Sequence, residues 1–348
     1  MYNLQCQLYN CKNIIIKYMK NKNILIIYHL EDNDGVCSCA IMEHYIHTHF
    51  KDANVERLPG TYKILSDLYE KGKDFLDEYF APYDTCIMLD ISFNDYKAMK
   101  YLSNKFGSKF IWCDHHLPII KASFKHGFDN INGVRDTTRS AILNTYKYLY
   151  DPLDEKYFNG TVPELFKYLS AFDSWSFDTY KLDFDVCRYI NTAVTMNSCL
   201  NVDWWLNNNF MENIIMDIDM QEYINNLHDE GKQRCDELDK RNAEMIAYAG
   251  DTTWTVGDDN RPACMLVLYG GSNSLMFKSV KDTCKNGVVL KKTNDSHWTL
   301  HLYNTVDDSS FHCGDYLNKR YKGGGHEGAA GATISQSTFI KLLKAKHV

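Results

Sequence analysis

Phe110-Ile111-Trp112-Cys113-Asp114-His115-His116-Leu117-Pro118 is the stretch around which this chain is organised. Its apolar first part reads as a buried strand that ends in Cys113. Leu117-Pro118 then argues against an immediate helix, because proline has no backbone N–H to contribute. One carboxylate and two imidazoles therefore emerge together where a strand stops. A single charged triplet on a loop says little. This one gains weight because two other strand ends carry the same kind of side chain.

Upstream, residues 24–28 read as a first strand, followed by His29-Leu30-Glu31-Asp32-Asn33-Asp34-Gly35, and an amphipathic helix begins at Gly35. Residues 55–58 form a second strand ended by Pro59-Gly60, and 62–80 carry a helical pattern. Residues 85–89 are an apolar strand ending in Asp90. Residues 93–106 read as a helix, 109–113 as the strand of the opening stretch, 140–150 as a helix, and 162–172 as a helix with Pro163 at its start. Strands alternating with helices imply right-handed crossovers and a parallel sheet. Ligands bind beyond the carboxyl ends of such strands. Three strand ends here deliver His29, Asp32 and Asp34, then Asp90, then Asp114, His115 and His116.

Residues 178–248 have mostly helical pattern, with a charged run over 230–241 that reads as a solvated face. A second α/β pattern starts near Asp251. It has a strand at 263–268, a turn at Gly270-Gly271, a short helix at 274–280, paired strands at 287–290 and 298–303, and a helix at 314–321. That helix leads into Gly323-Gly324-Gly325-His326-Glu327-Gly328-Ala329-Ala330-Gly331. The expected organisation is an N-terminal extension (1–22), a metal-binding α/β domain with a parallel sheet (23–178), a helical connector (179–250) and a smaller C-terminal α/β domain (251–348).

The composition bounds the function. With 348 residues, 45 % apolar and 24 % charged, the chain has the balance of a globular protein of about two domains. A net charge of −7 offers no general basic surface for long duplex nucleic acid. Aliphatic runs are too short to span a bilayer, and the N-terminus lacks the pattern of a secretory leader. The 12 cysteines form no CxxC pair and read as buried thiols of a reducing compartment. The expected location is the cytoplasm, or the host cytoplasm if the AT-rich residue usage has a viral origin. Met19 reads as a natural start, leaving residues 1–18 as an attached extension.

His29, Asp32, Asp34, Asp90, His115 and a further acid, Asp173, offer oxygen and imidazole ligands without thiolate. Such a set suits Mn²⁺ or Mg²⁺, with Co²⁺, Zn²⁺ or Fe²⁺ as alternatives. Carboxylates forced together repel unless cations neutralise them, and two divalent ions sharing one carboxylate do so. The three glycines let a backbone approach a ligand closely, with His326 in reach. Arg320 and Lys322 lie beside them to pair with phosphate.

These residues together resemble the DHH phosphoesterase superfamily, in the branch with a DHH-associated C-terminal domain. The resemblance rests on His29-x-x-Asp32-x-Asp34-Gly35, Asp90, Asp114-His115-His116, Asp173 and Gly323-Gly324-Gly325-His326 with Ala329-Ala330-Gly331, in the family's order along nearly the whole chain. It implies two Mn²⁺ ions, one held by His29 and Asp32, the other by Asp34, His115 and Asp173, with Asp90 bridging. His116 would contact the scissile phosphate, Asp114 would orient the imidazoles, and the glycine run would hold the nucleotide end of the substrate. RecJ-type exonucleases of the family are usually longer than this chain, and its inorganic pyrophosphatases lack the glycine-run domain, which leaves small nucleotides. The implied activity is hydrolysis of short oligonucleotides to mononucleotides, as in nanoRNases. The alternatives are a cyclic mono- or dinucleotide phosphodiesterase and an inactive nucleotide-binding module. A homodimer is compatible with the family. Three departures bear on the substrate: Leu302-Tyr303-Asn304 stands where many nanoRNases carry an arginine, Lys322 takes the first position of what is often a four-glycine run, and Arg139-Ser140 stands where small residues are common, so that Arg139 could supply the lost charge.

Overall fold

A computed structural model describes residues 22–150, 162–218, 220–269, 272–294, 296–305, 311–325 and 327–348. Most of the expected N-terminal extension, the Gly270-Gly271 turn and His326 lie outside the described residues. The chain divides into two compact units, one ending at Arg234 and the other beginning at Cys235.

The first unit runs β1 (Asn23–His29), α1 (Asn33–His49), β2 (Asn54–Gly60), α2 (Tyr62–Glu70), α3 (Lys73–Tyr79), β3 (Thr85–Leu89), α4 (Tyr96–Phe106), β4 (Phe110–Cys113), α5 (Leu117–His126), α6 (Ala141–Tyr150) and α7 (Glu164–Ser174). Five further helices follow: α8 (Phe177–Tyr180), α9 (Phe184–Ser198), α10 (Val202–Leu206), α11 (Phe210–Met216) and α12 (Met220–Ala249), the last of which continues past Arg234. The four strands pair parallel in the order β2-β1-β3-β4. Alternation along β1 explains the layers. Ile24, Ile26 and Tyr28 join one core with α1, α6, α7 and α9 to α12, while Leu25 and Ile27 join another with α2 to α5. Both faces are covered, as a parallel sheet requires. The segment read as a connector thus contributes Ile190, Val194, Trp205, Ile214 and Leu227 to the core of the first unit.

Local chemistry sets the element ends. Asp32 caps α1, its Oδ1 accepting from Gly35 N at 3.0 Å, and Thr61 caps α2 through Ile64 N at 3.2 Å. The pattern over 62–80 breaks in two at Gly72, whose φ of +90° suits glycine. Pro59 lies inside β2 rather than after it, because β2 is an edge strand and can spare the N–H. One expectation is overturned: helix α5 starts at Leu117, directly after the two histidines, with Pro118 in its first turn. The first-turn donors have no helical acceptor anyway, and the fixed φ of proline suits a helix start.

The second unit carries the end of α12, then β5 (Asp251–Val256), β6 (Arg261–Leu268), β7 (Asn286–Lys292), β8 (His297–Asn304), α13 (Cys313–Tyr321), β9 (Gly324–Gly325), β10 (Ala329–Ser335) and α14 (Gln336–Ala345), with a 3₁₀ turn at Ser274–Val280. Its six-stranded sheet has the order β5-β6-β7-β8-β10-β9; only β6 and β7 pair parallel. The chain is therefore α/β, a parallel four-stranded domain followed by a helical region and a mixed-sheet domain. Every cysteine among the described residues is free, and only Cys199 is exposed. No helix among them is long and apolar enough to cross a membrane.

Candidate functional site

The strand order places a topological switch between β1 and β3, since the chain leaves β1 towards β2 and returns on its other side at β3. Register aligns Tyr28 with Leu89 and Leu89 with Cys113. His29, Asp90 and Asp114 therefore stand at one edge, each at or just past a strand end. Asp90 has φ +58°, a left-handed conformation that aspartate tolerates, while its N–H donates to Cys113 O at 2.9 Å. That kink turns the carboxylate into the edge, with only 1 % of the residue exposed.

Helix α1 delivers the next two acids. A Cβ at Gly35 would lie 2.2 Å from His29 O, so only glycine lets the helix start this close to β1. Asp32 Oδ2 accepts from His29 Nδ1 at 2.9 Å. Asp34, buried in the first turn, accepts from Ala141 N and Ile142 N, both at 2.7 Å. Its charge thus sits at the amino end of α6, where the peptide dipoles favour it. Asp173, near the end of α7, lies with Oδ2 3.3 Å from His115 Nε2. The same nitrogen is 3.4 Å from Asp90 Oδ1 and 3.7 Å from Asp34 Oδ2.

Three groups of ligand atoms each fall within 4.8 Å of one another: His29, Asp32 and Asp90; Asp34, His115 and Asp173; and Asp90, His115 and His116. Asp90 Oδ1 and Asp173 Oδ2 are buried and have no hydrogen-bond partner. Burial, then the neighbouring carboxylates Asp34 and Asp32, hold the Asp90 carboxyl well above its usual range; burial and Asp34 do the same to Asp173. Burial pulls His29 down, but Asp32 and Asp90 outweigh it and carry the imidazole up to about 11. Acids that resist ionisation and orphaned oxygens aimed at imidazoles are what a divalent cation would relieve. The donor set, all oxygen and imidazole, fits Mn²⁺ or Mg²⁺.

Asp114 is different. It is fully buried and accepts four hydrogen bonds: from Trp112 Nε1 (3.0 Å), His115 N (2.7 Å), His116 N (3.1 Å) and His116 Nδ1 (2.7 Å). Against the cost of burial, the His116 bond holds its carboxyl below the ordinary value. Asp114 therefore shapes the loop and aims His116, whose Nε2 is left to meet a ligand. Burial opposes protonation of both imidazoles, yet Asp173 and Asp34 raise His115, and Asp114 raises His116.

Several contributors are illegible in the sequence. Asn144, fully buried, donates to Asp114 O and Asp136 O, both at 3.0 Å, and pins the loop from behind. Gly133 does so by absence, since a Cβ there would lie 2.1 Å from Trp112 O. Tyr62 packs its ring 5.8 Å from His29 and 6.2 Å from His116; burial and the carboxylates of Asp114 and Asp90 push its phenol above the ordinary range. None belongs to a motif, because each acts through folding rather than spacing.

The expected phosphate-binding residues are placed as follows. Arg139 pairs with Asp136, Nε to Oδ2 at 2.9 Å. Ser140 is buried and donates its N–H to Ser170 Oγ at 3.1 Å, just ahead of the two amides that hold Asp34. Arg320 is bonded to Asp258 and stacks over Tyr316. Lys322 is exposed at the left-handed end of α13. Gly324 and Gly325 form a short exposed strand against Gly331 and Ala330, which accounts for the small residues of that repeat. Asn304 donates to Phe311 O at 2.9 Å and Glu327 O at 3.3 Å, so it fastens backbone.

Residues 23–159 match the profile described as the DHH family, N-terminal domain. No curated protein matches the sequence. Among solved structures, RecJ from Thermus thermophilus in complex with Mn²⁺ is 11 % identical with a TM-score of 0.58; the match covers 99 % of this chain and 54 % of RecJ. The DHH domain of a member of the s1p family of ribosomal proteins is 12 % identical with a TM-score of 0.58, covering 97 % of this chain and 88 % of that one. A pGpG-specific phosphodiesterase from Vibrio cholerae is 15 % identical with a TM-score of 0.48, covering 93 % and 97 %. The first two of these likenesses speak to the fold. Residues 23–159 thus carry the profile of the DHH family's N-terminal domain, and the strand-edge cluster lies within them except for Asp173.

Proposed function

We propose that this chain is a metal-dependent phosphodiesterase that hydrolyses short oligonucleotides to mononucleotides, as nanoRNases do. The observation that carries this reading is the pair of buried, unpartnered carboxylate oxygens, Asp90 Oδ1 and Asp173 Oδ2, facing His115 Nε2. His29 and Asp32 would hold one divalent ion and Asp34, His115 and Asp173 a second, with Asp90 between them. Two Mn²⁺ are the favoured occupants; Mg²⁺ and Co²⁺ suit the same donors. Bound there, the ions supply Lewis acidity toward water and toward the phosphoryl oxygens.

The chain's own residues do the rest. Asp114 holds His116 at Nδ1 and raises its pKa, which favours the imidazolium, whose Nε2–H would donate to a phosphoryl oxygen as charge builds. Asp114 and Asn144 keep that imidazole in one orientation. Tyr62 packs its ring against both His29 and His116. The exposed glycine strand and Lys322 offer backbone and charge to a nucleotide, and Arg139 would add charge near the Asp34 end. The expected location is the cytoplasm, with the substrate as partner.

The experiment is a substrate panel with Mn²⁺: dinucleotides, longer RNA and DNA, cyclic mono- and dinucleotides, and pyrophosphate. Net charge of −7 gives little hold on a long polyanion, so turnover should be best on dinucleotides and fall away for strands of about twenty. Equal rates on a dinucleotide and the long strand would refute the short-substrate reading. Activity on cyclic dinucleotides alone would move the function to signal degradation. No hydrolysis of any member, with Mn²⁺ bound, would leave a nucleotide-binding module.

A further inference from the structure

We propose that Trp175 is a stacking platform for a nucleobase of the substrate. This inference rests on the nucleotide reading above and names what the site grips beyond the phosphate. Trp175 is the one exposed tryptophan among the described residues, 63 % accessible, while Trp112, Trp205 and Trp254 are fully buried. It caps α7 with φ +51° and ψ 35°, a left-handed conformation that a bulky residue rarely adopts. Glycine would take that position without strain. A large side chain held there keeps much of its apolar surface in water although it packs on Phe177 and Phe184, which suits a ligand.

The surroundings pack part of the ring and leave much of the residue in water. Its plane stacks on Phe184 at 5.6 Å and 25°, and Phe172 stacks on Phe184 in turn at 6.3 Å and 27°. Phe177 meets both Trp175 and Phe184 edge-on, at 5.7 and 5.3 Å. The turn beneath is fastened by Ser176 N donating to Ala171 O at 3.1 Å and by Ser174 Oγ donating to Ser170 O at 2.7 Å. A base stacked on the accessible surface of Trp175 would extend an existing aromatic cluster. Position supplies the occupant, because Trp175 stands two residues after Asp173, whose buried oxygen faces His115. A nucleotide with its phosphate at that acid carries its base one sugar away. Stacking on an aromatic face is tolerant of base identity, so the platform would grip any base.

The test uses the full chain loaded with Mn²⁺ and two probes, adenosine 5′-monophosphate and ribose 5-phosphate, which differ by the base. Binding is followed by calorimetry and by quenching of tryptophan emission. The wild type should bind the nucleotide well above the sugar phosphate and lose emission as it does so. Trp175→Gly should weaken nucleotide binding about 10- to 100-fold, leave the sugar phosphate unchanged, and keep or raise Tm. Trp175→Phe should retain most of the affinity, and it serves if the glycine variant fails to fold. No preference for the nucleotide in the wild type, or a glycine variant that binds it within twofold of wild type, would overturn the platform. So would a variant that loses both probes equally. Preference for the nucleotide without hydrolysis of any phosphodiester would break the functional reading and leave the platform standing.

Discussion

The two sheets deliver their side chains in opposite ways. In the first unit all four strands run parallel, so their carboxyl ends share one edge, and His29, Asp90, Asp114, His115 and His116 meet there. In the second, antiparallel neighbours send successive strand ends to opposite edges. What gathers there is backbone: the exposed glycine strand β9 against β10. The first region concentrates charge that folding alone does not neutralise. The second exposes main chain with little charge of its own. Under the proposed function, chemistry would belong to the first arrangement and ligand contact to the second.

The sharpest way to break this contrast is to remove the acid common to two of the ligand groups. Asp90→Asn keeps the shape and loses the charge between His29 and His115. Mn²⁺ uptake should fall at both groups, and turnover should drop by on the order of 10³ or more, beyond the loss of a single charge-stabilising donor. Calorimetry and a dinucleotide assay read the two effects. Full metal occupancy in the variant would remove Asp90 from the ligand set.

The two histidines of the triplet should then separate. His115→Ala should lose metal and activity together, since Nε2 faces three carboxylates. His116→Ala should keep the metal and lower turnover about 10²- to 10³-fold. An empty site in the His116 variant would reverse the two roles.

Much of this edge was legible before the fold, because it is encoded by strand ends and a parallel sheet follows from alternation. Asp173 was legible as a further acid, but its role came only from the resemblance, since it sits on a helix far along the chain and no strand end marks it. Pro118 misled, because the rule against proline in helices fails in the first turn, where α5 begins. Asn144, Gly133 and Tyr62 were invisible for one reason: their partners are brought to them only by tertiary packing. In the second unit, the glycine run reads as a backbone approach to a ligand, and the structure shows Gly324 and Gly325 paired with β10. Which of its glycines needs to be one was not legible, because that depends on the pairing with β10.

Metal binding should depend on pH. His29 is carried up to about 11, and Asp90 and Asp173 sit well above the usual carboxylate range, so the metal-free site holds protons at neutral pH. A cation must displace them. Affinity for Mn²⁺ should therefore rise with pH, about tenfold per unit for each proton released. Calorimetry in buffers of different ionisation enthalpy counts the protons directly. A flat affinity between pH 6 and 9, with no buffer dependence, would show that the site is already deprotonated. Loading should also protect the fold, by roughly 2.7 kcal/mol at a hundredfold excess over Kd, as a melting shift against chelator.

The smallest effects divide the glycine run against itself. At Gly325, φ is +147° and a Cβ would lie 2.4 Å from Ala329 O, so Gly325→Ala strains the backbone and forces β9 from β10. A cost of about 1–3 kcal/mol in unfolding free energy is expected. Gly323 is similarly confined, 2.4 Å from Gly331 O. At Gly324 a Cβ meets nothing within 4 Å, and no positive φ demands glycine there. Gly324→Ala should thus leave Tm within a degree or two of wild type, as for an unconstrained surface position. If the run receives a nucleotide, Gly324→Val should raise KM without touching metal occupancy, because a branched side chain would hold the ligand off the backbone. An unchanged KM across the panel, with Tm also unchanged, would reduce Gly324 to an unconstrained turn position. The run would then owe its glycines to Gly323 and Gly325 alone, and the exposed backbone of the second sheet would have no ligand to its name.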